Sequence, residues 1–241
     1  MRMLNIMTAV SAAVLSVSLA STASASTVVT IDTFDVTSTA VDDGGGFLPN
    51  AVQVSGASIL GGFRDTQAAN NTGEFLGTVA KTNGSSSGFL NVSNGAGTSG
   101  SGTFTWDGDD SPTSVNTFGL GGVDLSLGVN DSFAFDVISI DAPFLFSLQL
   151  WDADSSSTAL KTFQVSDAGT TQYILFSEFS GIDFTNVGAI QLILAGGNNS
   201  DIEINEFSAT IVPPATVPLP ASIPLLMVGL GALGLMRRKN S

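Results

Sequence analysis

Histidine and cysteine are both absent from the 241 residues. Without them the chain has no disulfide and no Ser-His-Asp or Cys-His nucleophile system. The ordinary zinc sites, built on His or Cys, are excluded as well. Basic residues are scarce: seven Lys and Arg stand against 21 Asp and Glu. Arg2 lies near the N-terminus, and Arg237, Arg238 and Lys239 lie at the C-terminus. Between them only Arg64, Lys81 and Lys161 face all 21 acids. Phosphate binding needs a cationic footprint, so nucleic acid is excluded as a partner and anionic membrane surfaces are disfavoured. The same charge keeps the domain soluble and draws cations. Long apolar stripes of 3.6-residue period are missing too, and Gly, Ser, Thr and Asn recur throughout.

What is present is most specific at the two ends. Arg2 is followed by a stretch, Ile6 to Leu19, that is apolar or small and uncharged, and then by Ala23-Ser24-Ala25. A charged start, a short apolar region and small residues at Ala23 and Ala25 predict a secretory signal helix over 1–25, cut after Ala25 by signal peptidase. At the other end, Ala221 to Met236 carries no charge. As a helix it would be about 24 Å long, against roughly 30 Å of hydrocarbon, so it spans only with local thinning or snorkelling. Arg237, Arg238 and Lys239 follow at once and by the positive-inside rule stay cytoplasmic. Gly229 to Gly234 matches G-x-G-x-x-G. A dinucleotide site needs that pattern after a strand, with an acid about 20 residues on, and no acid follows here.

Before the apolar segment stands Val217-Pro218-Leu219-Pro220-Ala221, which its prolines keep extended. Motif, short apolar helix and basic tip, in that order at the terminus, resemble the PEP-CTERM class of sorting signals in its VPLPA variant. The resemblance covers the last part of the chain, from Val217. It implies processing near the motif by an exosortase, a membrane-embedded enzyme of exopolysaccharide-making Gram-negative bacteria. The protein would pass transiently through the inner membrane and end at the cell surface or in the extracellular matrix. The plainer alternative is a simple tail anchor. The expected organisation is a signal peptide over 1–25, a β-sandwich domain over 26–211 and a Pro-rich linker with the sorting motif over 212–220. A transmembrane helix over 221–236 and a basic cytoplasmic tail over 237–241 complete it.

The middle of the chain reads as all-β. Short Val/Ile/Phe/Thr runs separated by Gly, Asn and Asp clusters predict strands near 27–35, 51–59, 74–80, 87–93, 101–106, 115–120, 132–140, 144–151, 159–165, 171–176, 188–194 and 202–211. Strands at this spacing point to an antiparallel β-sandwich or jelly roll. Asp43–Gly46, Asn83-Gly84, Asn94-Gly95 and Gly196–Asn199 mark turns, and the low-complexity run Ser93–Gly102 is expected to be a long hairpin loop. Period-two counting sorts the faces. In "FLFSLQLW", Phe144, Phe146, Leu148 and Leu150 form the core side. Leu145, Ser147, Gln149 and Trp151 form the other, where an indole is expected to lie open to water. Phe104 and Trp106 share a core face. Asp136 opposes Phe133, Phe135 and Val137, and Glu203 and Asn205 oppose Ile202 and Ile204.

The segments "GGFRD" (Gly61–Asp65), "FTWDG" (Phe104–Gly108), "FSEFSGIDFTNVGAIQLIL" (Phe176–Leu194) and "DIEINEF" (Asp201–Phe207) resemble, in order, carbohydrate-binding-module sandwiches with a galactose-binding-like jelly roll. The resemblance implies a sugar-binding face but transfers no individual site residue. On physical grounds an indole stacks on a pyranose while amides and carboxylates take its hydroxyls, which makes Trp151, Gln149, Asp136 and Asn205 the candidate sugar-binding residues. The acidic loops Asp107–Asp110 and Asp152–Ser157 offer hard oxygens without EF-hand spacing. Asp32 on the first strand meeting Glu203 or Glu206 on the last would suit a structural Ca²⁺; the plainer reading is solvated acidic loops. Three functions are weighed, the first leading and the other two its alternatives. The first is a non-enzymatic, structural or adhesive surface or matrix protein without a cofactor. The second is a lectin-like module for exopolysaccharide, and the third a glycoside-active enzyme with paired carboxylates.

Overall fold

The computed structural model describes residues 28–46, 48–72, 77–82, 88–154 and 158–213. The signal region, Asn83-Gly84, the sorting motif, the expected span and the basic tail lie outside these residues. Among the described residues no helix is long and apolar enough to cross a membrane.

The strands are β1 (Val29–Asp32), β2 (Ser38–Asp42), β3 (Ala51–Ser55), β4 (Phe63–Asn70), β5 (Thr78–Thr82), β6 (Leu90–Asn94) and β7 (Gly100–Trp106). After a long segment of turns come β8 (Ser132–Ile140), β9 (Phe144–Asp152), β10 (Thr158–Val165), β11 (Thr170–Leu175), β12 (Val187–Gly196) and β13 (Asp201–Thr210). They form two sheets in which every pair is antiparallel. One is seven-stranded, in the order β11-β8-β13-β6-β5-β2, with β1 also on β13. The other is six-stranded, in the order β10-β9-β12-β7-β4-β3. β6 and β1 share one edge of β13, pairing with Asp201–Ile204 and Phe207–Ala209 respectively. The architecture is the expected all-β antiparallel sandwich.

The core lies between the sheets. Phe144, Phe146, Leu148 and Leu150 are fully buried there, as their alternation requires, and Phe104 and Trp106 join them. From the facing sheet come Phe133, Phe135, Val137 and Phe207. Phe135 stacks on Phe207 at 4.4 Å, and Phe146 meets Phe135 edge-on at 5.8 Å. Such aromatic pairs add about 1 kcal/mol each beyond the area they bury. With no disulfide available, this phenylalanine-rich layer supplies the cohesion.

Three expectations are corrected. No strand forms over 115–120: Gly119 and Gly121 donate back to Asn116 and Phe118, closing turns, and a Cβ at Gly119 would run into the Asp107 carbonyl oxygen. Conversely, β2 and β4 are strands that the pattern did not reveal. In β4, three consecutive residues, Arg64, Asp65 and Thr66, are all buried, so hydropathy does not alternate along it. The run Ser93–Gly102 is not a hairpin loop, because its two flanking strands, β6 and β7, belong to different sheets.

Candidate functional site

The antiparallel register of the six-stranded sheet lays one residue from each strand across its outward face. From edge to edge the row is Leu160, Gln149, Gln191, Thr105, Asp65 and Gln53. Gln191 Nε2 donates to Thr105 Oγ1 at 3.1 Å, which orders the middle of the row. Gln149 Nε2 reaches Thr158 Oγ1 at 3.4 Å. One step along β9, Trp151 lies between Thr158 and Ala189. Trp151 is half-buried rather than fully open, and Leu145 and Leu160 on the same face are exposed. An apolar ring edged by amides and hydroxyls is the surface chemistry that accommodates a sugar.

The four candidate sugar-binding residues do not converge. Trp151 and Gln149 sit together on this face. Asp136 on β8 and Asn205 on β13 belong to the other sheet. There Asp136 lines a shallow depression with Tyr173, Thr171, Glu206 and Ser208. Period two assigns a residue to one side of its own strand and says nothing of which sheet that strand joins.

The expected cation set is not assembled either. Asp32 is fully buried and engaged: Oδ1 accepts from the Phe34 backbone N–H at 2.7 Å, and Oδ2 from Arg64 at 2.6 Å and Trp106 Nε1 at 2.9 Å. Burial, the largest influence, holds its carboxyl above the usual range against the pull of Arg64. Glu203 instead accepts from Ser139 at the surface, and Glu206 lines the depression beside Asp136.

Acids do gather elsewhere. Consecutive residues on β4 point to opposite sides, so Arg64 enters the core toward Asp32 while Asp65 emerges on the outward face. β7 repeats the device: Trp106 points inward to Asp32, and Asp107 follows it out. Asp65, Asp107 and Asp110 then offer carboxylate oxygens that all lie within 4.8 Å of one another. Asp65 is 2% exposed and Asp107 1%. Neither Asp65 oxygen has a hydrogen-bond partner, and Oδ1 of both Asp107 and Asp110 is likewise buried and unpartnered. Their Oδ2 atoms hold the following loop, accepting from the Asn116 N–H at 2.7 Å and from Ser114 Oγ at 3.2 Å. Burial first, then the charge of Asp107, pushes the Asp65 carboxyl up to about 7; the nearby Gln53 amide opposes this. Burial pushes Asp107 up to about 6, against the Asn116 N–H. "DGDD" is visible in the sequence, but its completion by Asp65 depends on the pairing of β4 with β7.

These carboxyls are too enclosed to flank a glycosidic bond, which needs a sugar between two groups about 5–10 Å apart. Only a small species fits among them.

By fold and face, the described residues define an all-β antiparallel sandwich with a polar outward sheet bearing one tryptophan. The tail adds a second, independent feature: residues 216–240 match the PEP-CTERM protein-sorting motif. A signal of this kind marks a protein for export and processing at the membrane. No curated protein matches the chain by sequence. Among solved structures the chain is similar to the family 11 carbohydrate-binding module from Clostridium thermocellum in complex with a β-1,3-1,4-mixed-linked tetrasaccharide. That similarity is 12% identity over 72% of this chain and 96% of that one, with a TM-score of 0.32. A family 29 carbohydrate-binding module is similar at 13% identity over 78% and 97%, with a TM-score of 0.36. An agarase is similar at 11% identity over 61% of this chain but 22% of its own, with a TM-score of 0.38.

Proposed function

We propose that this is an exported, non-enzymatic protein of the cell surface or extracellular matrix whose sandwich binds carbohydrate, of exopolysaccharide type, on the outward face of the six-stranded sheet. Signal peptidase removes the N-terminal signal segment, and an exosortase-type enzyme acts at Val217–Ala221 before the basic tip is left behind. The observation that carries the binding reading is the pair of half-buried amides Gln149 and Gln191, side by side across the sheet, with Trp151 at their flank and Gln53 at the far end of the same row; Thr105 and Asp65 lie buried between them and order the row. Rows of this kind present hydrogen-bonding groups at the strand spacing of about 4.8 Å, comparable to a sugar ring. The non-enzymatic reading is favoured by the enclosure of the one cluster of three carboxyls among the described residues and by the shallowness of the depression that Asp136 and Glu206 share. Sedimentation of the mature protein with the exopolysaccharide of its own host tests the proposal. The wild-type chain is expected in the pellet and Trp151→Ala in the supernatant. Wild-type protein that stays in the supernatant would refute the binding function.

A further inference from the structure

The carboxyl trio on β4 and the loop after β7 poses an electrostatic problem. Three acids share a space within 4.8 Å, and two of them are almost wholly removed from water. Among the described residues no cation answers them. Arg64, adjacent in sequence, is committed to Asp32 on the other side of the sheet, and Lys161 is paired with Glu178. Buried polar groups in folded proteins are partnered, and a buried carboxylate with neither oxygen bonded is costly. Asp65 is such a group, 2% exposed, with neither oxygen in a hydrogen bond, a Gln53 amide nearby, and an oxygen within 4.8 Å of those of Asp107 and Asp110.

We propose that Asp65, Asp107 and Asp110 bind one Ca²⁺. The donors are all carboxylate oxygens, which suit a hard cation rather than zinc or copper. Oxygens within 4.8 Å of one another need only a small side-chain adjustment to lie at the calcium–oxygen distance of about 2.3–2.6 Å from one centre. The loop is arranged for the task before any ion arrives. Asn116 and Ser114 hold the Oδ2 atoms of Asp107 and Asp110, which leaves each Oδ1 buried and without a hydrogen-bond partner. Gly108, at φ +84°, takes the turn between the two, where a Cβ would lie 2.8 Å from the Gly119 carbonyl oxygen. A ligand set with irregular geometry favours Ca²⁺ over Mg²⁺, which demands a near-ideal octahedron and gives up water reluctantly. The ion joins β4 to the loop that follows β7. It thereby stiffens the Asp65 end of the polar row, but the site stands on its own geometry whether or not that row binds sugar.

Calcium titration of the EDTA-stripped mature protein by calorimetry, with thermal unfolding in parallel, tests this. One equivalent should bind, and the Tm should rise by about 5–10 °C at a hundredfold excess over Kd. Mg²⁺ at the same concentration should give less than half that rise. Asp65→Asn and Asp110→Asn should each abolish the stoichiometric binding. Because they remove a repelling charge, both should fold at least as well as the stripped wild type, so lost binding is distinguishable from lost structure. Absence of a saturable event at millimolar Ca²⁺, or saturable binding that survives both substitutions combined, would overturn the assignment.

Discussion

Arg64→Met should destabilise the fold by removing a buried ionic clamp between the two sheets. Arg64 is 0% exposed, yet it is one of only three basic residues between the two ends of the chain. Its Nη1 donates to Asp32 Oδ2 at 2.6 Å. Its Nη2 donates to the Val36 carbonyl at 2.6 Å and to Thr82 Oγ1 at 2.7 Å. β4 belongs to one sheet, whereas Asp32 and Thr82 lie on β1 and β5 of the other, so the guanidinium ties the two layers together. It also holds a strained turn. Phe34 is buried at φ +56°, outside the usual range for a bulky residue, and is fixed by its N–H bond to Asp32 Oδ1. Methionine fills most of the volume but leaves the Asp32 charge without a counterion. Breaking a buried pair from one side costs about 3–5 kcal/mol, a large part of a typical domain stability of about 5–15 kcal/mol. For a domain of this size, Tm should fall by roughly 6–20 °C. Urea unfolding followed by circular dichroism gives the number directly. The double variant Arg64→Met/Asp32→Asn should recover part of the loss, since no buried charge is then unpaired. A single-variant cost under about 1 kcal/mol, or a double variant no better than the sum of its parts, would refute the clamp.

Phe146→Ala should cost about 3–5 kcal/mol, because its ring fills the layer between Phe135 and Phe163; a loss under about 1 kcal/mol in urea melts would contradict the register of β9. Asp65 and Asp107 carry folded pKa values of about 7 and about 6, above the ordinary 3.8, so the cation-free fold holds more protons than the unfolded chain between about pH 4 and 7. Their contribution is therefore full at acid pH and lost as pH rises through about 6–7. In EDTA, the urea midpoint of the wild type should fall more steeply from pH 5 to 8 than that of Asp65→Asn, and equal slopes would contradict it. Intact-mass measurement of protein from the native host should find a chain starting at Ser26 and lacking Arg237–Lys239; retention of the basic tip would leave only a plain anchor.

The parts of the fold legible in the sequence are those where hydropathy alternates. β8, β9 and β12 each carry an alternating row of buried large apolar residues (Phe133, Phe135 and Val137; Phe144, Phe146, Leu148 and Leu150; Ile190, Leu192 and Leu194), so their extents and inward faces follow from period two. β4 escaped because its inward residue is Arg64, an ion-paired charge where the pattern calls for an apolar side chain. The acidic corner escaped for a different reason. Asp65 and Asp107 meet only because β4 and β7 are neighbours in one sheet, a pairing that no local pattern encodes. A signal was nonetheless available: "FRD" and "TWD" each set an acid directly after a residue that turns out to point inward. Trp151 and Gln149 were readable as a pair for the same reason that Asp136 and Asn205 were misplaced with them. Alternation reports sides of a strand and leaves sheet membership to long-range pairing.

The central claim, that carbohydrate is bound on the outward face of the six-stranded sheet, is tested most directly by affinity electrophoresis through gels cast with the host's exopolysaccharide. Two substitutions separate the two faces: Trp151→Ala on β9, and Asp136→Ala on β8 of the opposite sheet. Wild type and Asp136→Ala should be retarded alike, and Trp151→Ala should migrate as it does in a gel without polysaccharide. Retardation that persists in Trp151→Ala and disappears in Asp136→Ala would place the binding face on the other sheet and contradict the account.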